Sequence, residues 1–412
     1  MNMKWKVYLI CAVGLIAVFV LLRIWTGDSK RDDNPMAVSA GGSETSQEDT
    51  ATSLPSHTDI SETSSSELPE IELAPAWEVH LSGNSFINLS QGKLFLTSTA
   101  GEVKALEPVT GSTLWSYDIG AWVASRPTVN GGVVYVGAAD HTLYALDADT
   151  GVLIWYFKSQ GEILSSPSLG DNLVFIYSDN NQIYDLVNRV YALDAATGTL
   201  LWYFDTKGWM ASPPTVYGGS VYLGCYNLMV YALDERTGEQ RWTFSTPSKV
   251  FSSPTVSADK VFFCSIDGRI YAASERDGRQ LWSRSLDEFL WLTPIVHQGM
   301  IYVGSYNNVI YGINMDNGEV LWASNIQGML DFAPQLVGDN LAVFASKGRV
   351  YFVEAQTGKL VSKLQTPHDF FSEPQVSQKY IYACSSDGYL RAYSFRVQEG
   401  ITQVNSAPPA FP

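Results

Sequence analysis

Basic residues are scarce in this 412-residue sequence. It holds 26 Lys and Arg residues against 42 Asp and Glu residues, which gives a net charge of −16 at pH 7. A nucleic-acid-binding surface needs a stripe of cationic side chains to neutralise phosphates, and such a stripe is missing here. The composition therefore excludes a nucleic-acid partner.

Cysteine is also rare, with four residues in the whole chain. Cys11 lies in an apolar N-terminal run, and Cys225, Cys264 and Cys384 stand at or just after the ends of equivalent strands. There is no vicinal cysteine pair and no Cys/His spacing typical of a metal site. We predict that these cysteines are small buried side chains, and the sequence predicts no cofactor and no metal site.

Only one long hydrophobic run is present, at residues 7–22, between Lys6 and Arg23. It approaches the length of about 20 residues that a membrane span needs. We predict that residues 1–26 are an uncleaved signal anchor, a single transmembrane helix that leaves the rest of the chain extracytoplasmic. A cleaved signal peptide and secretion are the alternative.

Aromatic residues are almost absent from residues 27–75, which are rich in Ser, Thr and Glu. Such a segment cannot bury enough apolar surface to offset the entropy of ordering it. It is therefore predicted to be a disordered linker, and residues 397–412 are predicted to be a flexible tail.

The rest of the chain is a repeat, typified by residues 143–155, Leu-Tyr-Ala-Leu-Asp-Ala-Asp-Thr-Gly-Val-Leu-Ile-Trp. A fixed period of this length indicates a repeat architecture. Successive copies lie 40 residues apart, except for one interval of 47. The glycine of the repeat occurs at Gly111, Gly151, Gly198, Gly238, Gly278, Gly318 and Gly358.

Each period contains four short strands separated by turn residues such as Gly131-Gly132 and Asn307-Asn308. Four antiparallel strands form one blade of a β-propeller. Counting tryptophan strands from Trp77 gives eight blades over residues 76–396. The first outer strand, residues 76–80, is predicted to pair with the last blade and close the ring.

The repeated Asp and Trp residues are predicted to have structural roles. An Asp such as Asp147 can hold its own turn by accepting hydrogen bonds from backbone N–H groups. A Trp such as Trp155 can fill the junction between neighbouring blades.

This arrangement resembles the quinoprotein-type propellers with PQQ-like repeats, whose signature Ala-x-Asp-x-x-Thr-Gly-x-x-x-Trp occurs here at residues 145–155, 192–202 and 232–242. Within that group, the chain is most similar to the non-catalytic propeller of the bacterial outer-membrane β-barrel assembly machine. The resemblance implies an eight-bladed fold and a protein-interaction role. The propeller of the assembly machine is a lipoprotein, and the chain differs from it in lacking an acylatable Cys after the signal.

The loops that link one blade to the next carry unusual apolar residues, which we predict to form a partner-binding surface on one face. The alternative is that these side chains turn inward and cap the core. The candidates are Trp122, Trp209, Met210, Phe251, Phe289, Trp291, Met329, Phe370 and Phe371.

The 47-residue interval adds seven residues to a hairpin on the same face, around residues 179–189. Its Tyr184 and Asp185 are further candidates for the partner surface. A protruding recognition loop, a neutral insertion and a calcium-binding loop are the alternatives for this hairpin.

These features predict a membrane-tethered extracytoplasmic scaffold that binds a protein or peptide, in envelope protein assembly. A polysaccharide-binding module is the alternative, because sugar rings stack on the same residue types. A quinone-dependent dehydrogenase is less well supported, because its vicinal cysteines and catalytic loops are missing. The sequence therefore favours a non-enzymatic role and names no catalytic residue.

Overall fold

The structure is a computed structural model that describes residues 70–179, 188–286, 288–398 and 401–403. Within these residues the strands form eight four-stranded antiparallel blades, and one blade gains a fifth strand. The predicted eight-bladed β-propeller is confirmed. The described parts of the chain contain no helix with the length and hydropathy of a membrane span. The predicted anchor at residues 1–26 lies outside the described residues.

The strands of each blade follow one another from the channel outward, as expected for a propeller. Blades 1 to 4 comprise Ser85–Ser90, Lys93–Ser98, Glu102–Leu106 and Thr113–Asp118; Thr128–Asn130, Val133–Gly137, Thr142–Asp147 and Leu153–Lys158; Ser168–Leu169, Leu173–Ser178, Asn188–Asp194 and Leu200–Thr206; and Thr215–Tyr217, Ser220–Gly224, Met229–Asp234 and Gln240–Ser245. Blades 5 to 7 comprise Thr255–Ser257, Lys260–Ser265, Arg269–Ser274 and Gln280–Ser285; Ile295–His297, Met300–Gly304, Val309–Asn314 and Val320–Asn325; and Gln335–Val337, Asn340–Ala345, Arg349–Glu354 and Leu360–Gln365.

Blade 8 is built from both ends of the propeller. Its inner strands are Gln375–Val376, Tyr380–Cys384 and Tyr389–Ser394, and its outer strand is Pro75–His80. Pro75–His80 pairs antiparallel with Tyr389–Ser394, with Trp77 opposite Ala392.

An ion-pair network lies across this pairing. The guanidinium of Arg391, a residue that is 5% exposed, donates from Nε to Glu78 Oε2 at 3.0 Å and from Nη2 to Asp387 Oδ2 at 2.7 Å. The N-terminal strand and the last blade are therefore joined by side chains as well as by backbone hydrogen bonds.

Tryptophan and glycine together form the junctions between blades. Trp115 of blade 1 donates from Nε1 to the carbonyl oxygen of Ala148 in blade 2 at 3.0 Å. Its ring covers Gly151, whose φ is +73° and where a Cβ would lie 2.6 Å from Trp115 Cε3. Only glycine combines this backbone conformation with so close a contact. The same stack recurs at Trp77/Gly111, Trp155/Gly198, Trp202/Gly238, Trp242/Gly278, Trp282/Gly318 and Trp322/Gly358.

The repeated Asp, which occurs as Asp147, Asp194 and Asp234, holds the turn beside its stack, as the sequence predicts. Asp147 Oδ1 accepts hydrogen bonds from the backbone N–H groups of Thr150 at 2.8 Å and Asp149 at 3.1 Å. Hydrogen bonding by Thr150 lowers the pKa of Asp147 below its ordinary value. The signature is thus a turn and packing device, and the predicted structural roles are confirmed.

The junction between blades 7 and 8 departs from this pattern, because Ser362 stands where the other outer strands have Trp. Glu70–Glu72 pairs in parallel with the outer strand of blade 7, Leu360–Gln365, and Leu73 continues it by donating its N–H to Gln365 O at 2.7 Å. Leu73 and Phe395 are 2% and 1% exposed and pack in one core cluster. We call residues 70–73 the strap.

Two predicted boundaries need correction. Residues 70–75 do not belong to the linker, because Ile71 and Leu73 give the strap an apolar side that packs against the propeller. In the predicted tail, Arg396–Gln398 pairs antiparallel with Ile401–Gln403. The remaining parts of the predicted linker and tail lie outside the described residues.

The three cysteines of the described residues are buried and form no disulfide, in agreement with their predicted role. Burial raises the pKa of the Cys225 and Cys384 thiols to about 12. A thiol with so high a pKa has almost no thiolate at neutral pH and is a poor nucleophile.

Candidate partner-binding face

The loops linking one blade to the next share a face with the hairpin turn between the second and third strands of each blade. We call this the linking-loop face. Each loop is fixed to the hairpin turn of the blade it enters, for example by Tyr226 N–H donating to Trp209 O at 2.8 Å and Tyr306 N–H to Phe289 O at 3.1 Å. The same bond joins Ala139 to Trp122 and Ser346 to Met329. The side chains of this face therefore stand on a backbone held in place around the ring.

Three consecutive loop positions behave differently. The first position is the residue whose backbone carbonyl accepts the hydrogen bond from the hairpin turn, and its side chains are exposed or half-buried. The second position holds a buried apolar side chain, which we call the plug, in each loop that enters blades 2 to 8. The plugs are Val123, Ile163, Met210, Val250, Leu290, Leu330 and Phe370. The third position varies from blade to blade.

This order corrects part of the predicted surface. Met210 and Phe370 are 8% and 7% exposed, because they occupy the plug position that Val, Ile or Leu fills elsewhere. Trp291 at the third position is 6% exposed and packs against Tyr306. These three side chains turn inward, as the alternative interpretation expects.

The other candidates remain accessible. Phe289 is 50% exposed, and Trp122, Trp209, Phe251, Met329 and Phe371 are half-buried. Phe371 contacts Phe86 of blade 1, with ring centroids 5.8 Å apart. Tyr184 and Asp185 lie outside the described residues.

On blades 4 and 5, two of these rings, Trp209 and Phe251, form a ladder with Tyr226 of a hairpin turn. Tyr226 stacks on Phe251 with centroids 4.4 Å apart and an interplanar angle of 18°. Trp209 adjoins Tyr226 at 6.3 Å, and the Lys249 ammonium lies 5.2 Å from the Tyr226 ring centroid. We call this group the aromatic ladder.

A second group follows on blade 6. Tyr306 lies between Phe289 at 6.3 Å and Trp291 at 5.4 Å, with edge-to-face ring geometry in both pairs. Edge-to-face and offset contacts are the favoured arrangements of aromatic pairs, so these rings hold one another in defined orientations.

Tyr226 and Tyr306 are functional candidates that the sequence analysis missed. They occupy the same position of the hairpin turn, 80 residues apart, after Cys225 and Ser305. The signal was available in the repeat alignment, where an aromatic residue stands at a position that other turns fill with Ala139, Ile266, Ser346 or Ser386. The sequence drew attention to the linking loops and to the one enlarged hairpin, whereas the structure combines side chains of loops and ordinary hairpin turns.

Acidic pairs flank the aromatic sector on both sides. Burial, and then the nearby Asp369, raise the pKa of Asp331 to about 6. Burial, and then Glu162, raise the pKa of Asp179 to about 6. In blade order, the aromatic rings of blades 4 to 6 therefore lie between acidic groups on blades 3 and 7.

Asp331→Asn is expected to stabilise the protein at pH 8. The folded-state pKa of about 6 lies above the ordinary value of 3.8, so the folded protein binds a proton that the unfolded chain has released. Stability is therefore lost as pH rises from about 4 through 6. The gain in melting temperature from Asp331→Asn should be largest above pH 6 and vanish near pH 4.

Asp339→Asn is the matched control. Asp339 is exposed, and its substitution removes the same charge from the same blade. Thermal unfolding at pH 4 and pH 8 measures both variants. An equal gain for Asp339→Asn, or a gain for Asp331→Asn that does not depend on pH, would contradict the assignment.

An ion pair also lies at the channel mouth. Arg126 of the loop entering blade 2 pairs with Glu373 of the loop entering blade 8. Glu373 also accepts a hydrogen bond from Gln335 Nε2 at 3.2 Å. The pair joins two loops across blade 1. Among the described residues, no group of three or more His, Cys, Asp or Glu side chains is arranged to hold a metal ion.

The repeat, the closed ring and the signature stacks can be compared with known families. The model of the family described as outer membrane protein assembly factor BamB matches residues 60–181, 165–250 and 227–409. The chain belongs to this family. A search of curated protein sequences gave no significant match.

Solved structures resemble this BamB-family chain in fold. BamB from Moraxella catarrhalis is 20% identical, with a TM-score of 0.66 over 79% of this chain and 98% of that one. The computationally designed protein Ika8 is 16% identical, with a TM-score of 0.65 over 79% and 99%. The quinohemoprotein alcohol dehydrogenase from Comamonas testosteroni is 14% identical, with a TM-score of 0.63 over 78% and 76%. At these identities the likeness concerns the propeller alone, since one fold hosts many functions.

Proposed function

We propose that this BamB-family chain is a membrane-tethered protein-interaction scaffold in outer membrane protein assembly, and that it binds its partner through the linking-loop face. Membership of the BamB family supports the assembly role. The hydrophobic run at residues 7–22 supports a membrane tether with the propeller on the extracytoplasmic side.

The observation that carries the proposal is the aromatic sector of blades 4 to 6. Aromatic side chains are enriched among the residues that dominate binding energy at protein interfaces. The ladder and the Tyr306 group are fixed by ring contacts and by backbone hydrogen bonds between loop and turn. Binding therefore costs little side-chain entropy, which favours an anchoring role.

The charge around the sector indicates the kind of partner. Glu162 and Asp179 on one side and Asp331 and Asp369 on the other place acidic groups at both borders. A partner with an apolar centre and basic residues at its rim would complement this pattern. The strongly negative net charge of the chain would also accelerate encounter with such a partner.

A protein partner accounts for this geometry better than a polysaccharide does. A sugar ring stacks on an open aromatic face, whereas Tyr226 and Phe251 cover one face of each other. Their edges and remaining faces instead form a contoured apolar surface, which suits side-chain packing.

Trp209→Ala combined with Phe251→Ala is expected to reduce recovery of the cross-linked partner from cells at least about tenfold, because hot-spot residues each contribute 2 kcal/mol or more. Tyr217→Ala serves as the control, since Tyr217 is 45% exposed at a turn on the opposite face. Circular dichroism and the melting temperature show whether the double variant is folded. Undiminished recovery with a folded double variant would refute the proposed face.

A further inference from the structure

Blade 3 carries two carboxylates on the linking-loop face where the next blade carries two aromatic rings. Glu162 and Asp179 stand at the backbone positions that Trp209 and Tyr226 fill in blade 4, because the same hydrogen bond from the turn N–H to the loop carbonyl joins each pair. The fold therefore does not require acidic residues at either position, and their presence in blade 3 needs another explanation.

The backbone holds the two carboxylates side by side. Asp179 N–H donates to Glu162 O at 2.8 Å, and Glu162 N–H donates to Asp179 O at 3.0 Å. Directly paired residues of antiparallel strands place their side chains on the same face, with Cβ atoms about 4.5–5.5 Å apart. Two negative charges so close together repel each other, so the pair requires a proton or a cation for neutralisation.

Asp179 lacks the partners that a buried carboxylate normally has. The residue is 7% exposed, and its Oδ1 atom is buried without a hydrogen-bond donor among the described residues. It forms no ion pair in that part of the chain either, since Arg189 pairs with Asp205 instead. By contrast, the buried Glu235 accepts a hydrogen bond from Asp171 N–H at 2.9 Å. Because a buried polar atom without a partner is costly, Asp179 Oδ1 indicates a ligand.

A third oxygen-bearing side chain adjoins the carboxylate pair. Ser178 lies opposite Arg189 in the antiparallel register of blade 3. The next pair outward is therefore Asp179 with Asn188, whose side chains share one face of the sheet. Asn188 is fully buried, and its backbone carbonyl accepts a hydrogen bond from Thr206 Oγ1 at 3.1 Å, which holds the strand in place at this point. Two carboxylates and one amide thus meet at the linking-loop end of blade 3.

We propose that Glu162, Asp179 and Asn188 bind a calcium ion. Carboxylate and amide oxygens are the ligands that Ca²⁺ prefers, and water completes its coordination shell of about six to eight oxygens. The group contains two carboxylates, so it is distinct from the sets of three or more His, Cys, Asp or Glu side chains that are missing among the described residues. With so few charged ligands, the expected Kd is on the order of 0.1–1 mM, the range of extracellular calcium modules.

Burial of the pair favours a small ion over a basic side chain from a partner. A guanidinium or ammonium group arriving from solvent would have to reach Asp179 Oδ1, and that atom is buried. Mg²⁺ fits less well than Ca²⁺, because it demands near-octahedral geometry and releases its water reluctantly, whereas these ligands come from one loop and two strand ends. The ion is a separate ligand, so the proposal does not depend on the partner of the linking-loop face.

Calorimetric titration of CaCl₂ into the chelator-treated full chain tests the proposal. One saturable site is expected, and Glu162→Gln combined with Asp179→Asn should weaken its affinity at least about tenfold. The matched control is Asp331→Asn with Asp369→Asn, which removes two charges from the other acidic border, where Asp369 already accepts Lys347 N–H at 2.8 Å. The control should bind calcium as the unchanged protein does. Equal weakening in both double variants would show that calcium only screens the net negative charge, and would overturn the proposal.

Stability and hydrogen exchange keep the test decisive if a variant fails to fold. About 10 mM CaCl₂ should raise the melting temperature of the unchanged protein, because an ion that binds only the folded state stabilises it. Calcium should also slow exchange of the Glu162 and Asp179 backbone N–H groups and leave that of Ser346, the equivalent turn residue of blade 7, unchanged. Absence of saturable binding, similar slowing at Ser346, or the same melting shift with NaCl at equal ionic strength would overturn the proposal in favour of a carboxylate pair neutralised by a proton.

Discussion

Trp322→Ala is expected to lower the free energy of unfolding by about 3–5 kcal/mol, the range for deleting a buried Trp side chain. Trp322 is 4% exposed, its ring centroid lies 5.9 Å from that of Tyr302, and its Nε1 donates to Ala355 O at 3.0 Å. The substitution leaves a cavity between blades 6 and 7 and removes the hydrogen bond to the Ala355 carbonyl. Denaturant unfolding followed by circular dichroism measures the loss.

Leu321→Ala provides the comparison from the adjacent residue of the same strand. Leu321 is 48% exposed, so its truncation should change the unfolding free energy by no more than about 0.5 kcal/mol. Similar losses for the two variants would show that the Trp–Gly stack does not hold the junction.

Leu73→Asp is expected to cost at least about 3 kcal/mol, because it removes a buried Leu and places a carboxylate in an apolar cluster. Leu73 is 2% exposed and packs beside Phe395 and Leu364, where the Trp of the other junctions is missing. Hydrogen exchange should accelerate first in Leu360–Gln365, the strand on which the strap lies.

Ala74→Asp introduces the same charge one residue later, at an exposed position. It should leave both the unfolding free energy and the exchange of blade 7 nearly unchanged. If Ala74→Asp were as damaging as Leu73→Asp, the loss would come from the added charge and not from the packing of Leu73 at the junction between blades 7 and 8.

The blade number and the junction chemistry could be predicted from the sequence, because they repeat. The regular repeat places Trp115 and Gly151 in register with six other pairs, and a contact that recurs at seven of the eight junctions is one between adjacent blades. Averaging over copies removes the irregularities that obscure a single strand.

The strap could not be predicted in the same way, because it has no second copy. Glu70 pairs with Lys363, at the far end of the chain, and the pairing is parallel. Three residues carry too little pattern to specify such a partner. Ser362, where a Trp is expected, was the available sign that another part of the chain must fill the junction between blades 7 and 8.

The candidate surface was predicted at the level of loops and not of single residues. Met210 and Trp209 are adjacent, both large and apolar, yet one is a buried plug and the other half-exposed. Which of the two faces outward depends on the hydrogen bond that fixes the Trp209 carbonyl to Tyr226. That bond is a property of the folded ring.

The strap also determines how the propeller would respond to mechanical load. Glu70–Glu72 runs parallel to Leu360–Gln365 and precedes Pro75–His80 along the chain. A pull applied on the N-terminal side of residue 70 therefore reaches the strap before it reaches the strand that completes blade 8. Force along the strap loads its hydrogen bonds together, in shear, so the short parallel strand shields the closing strand from tension.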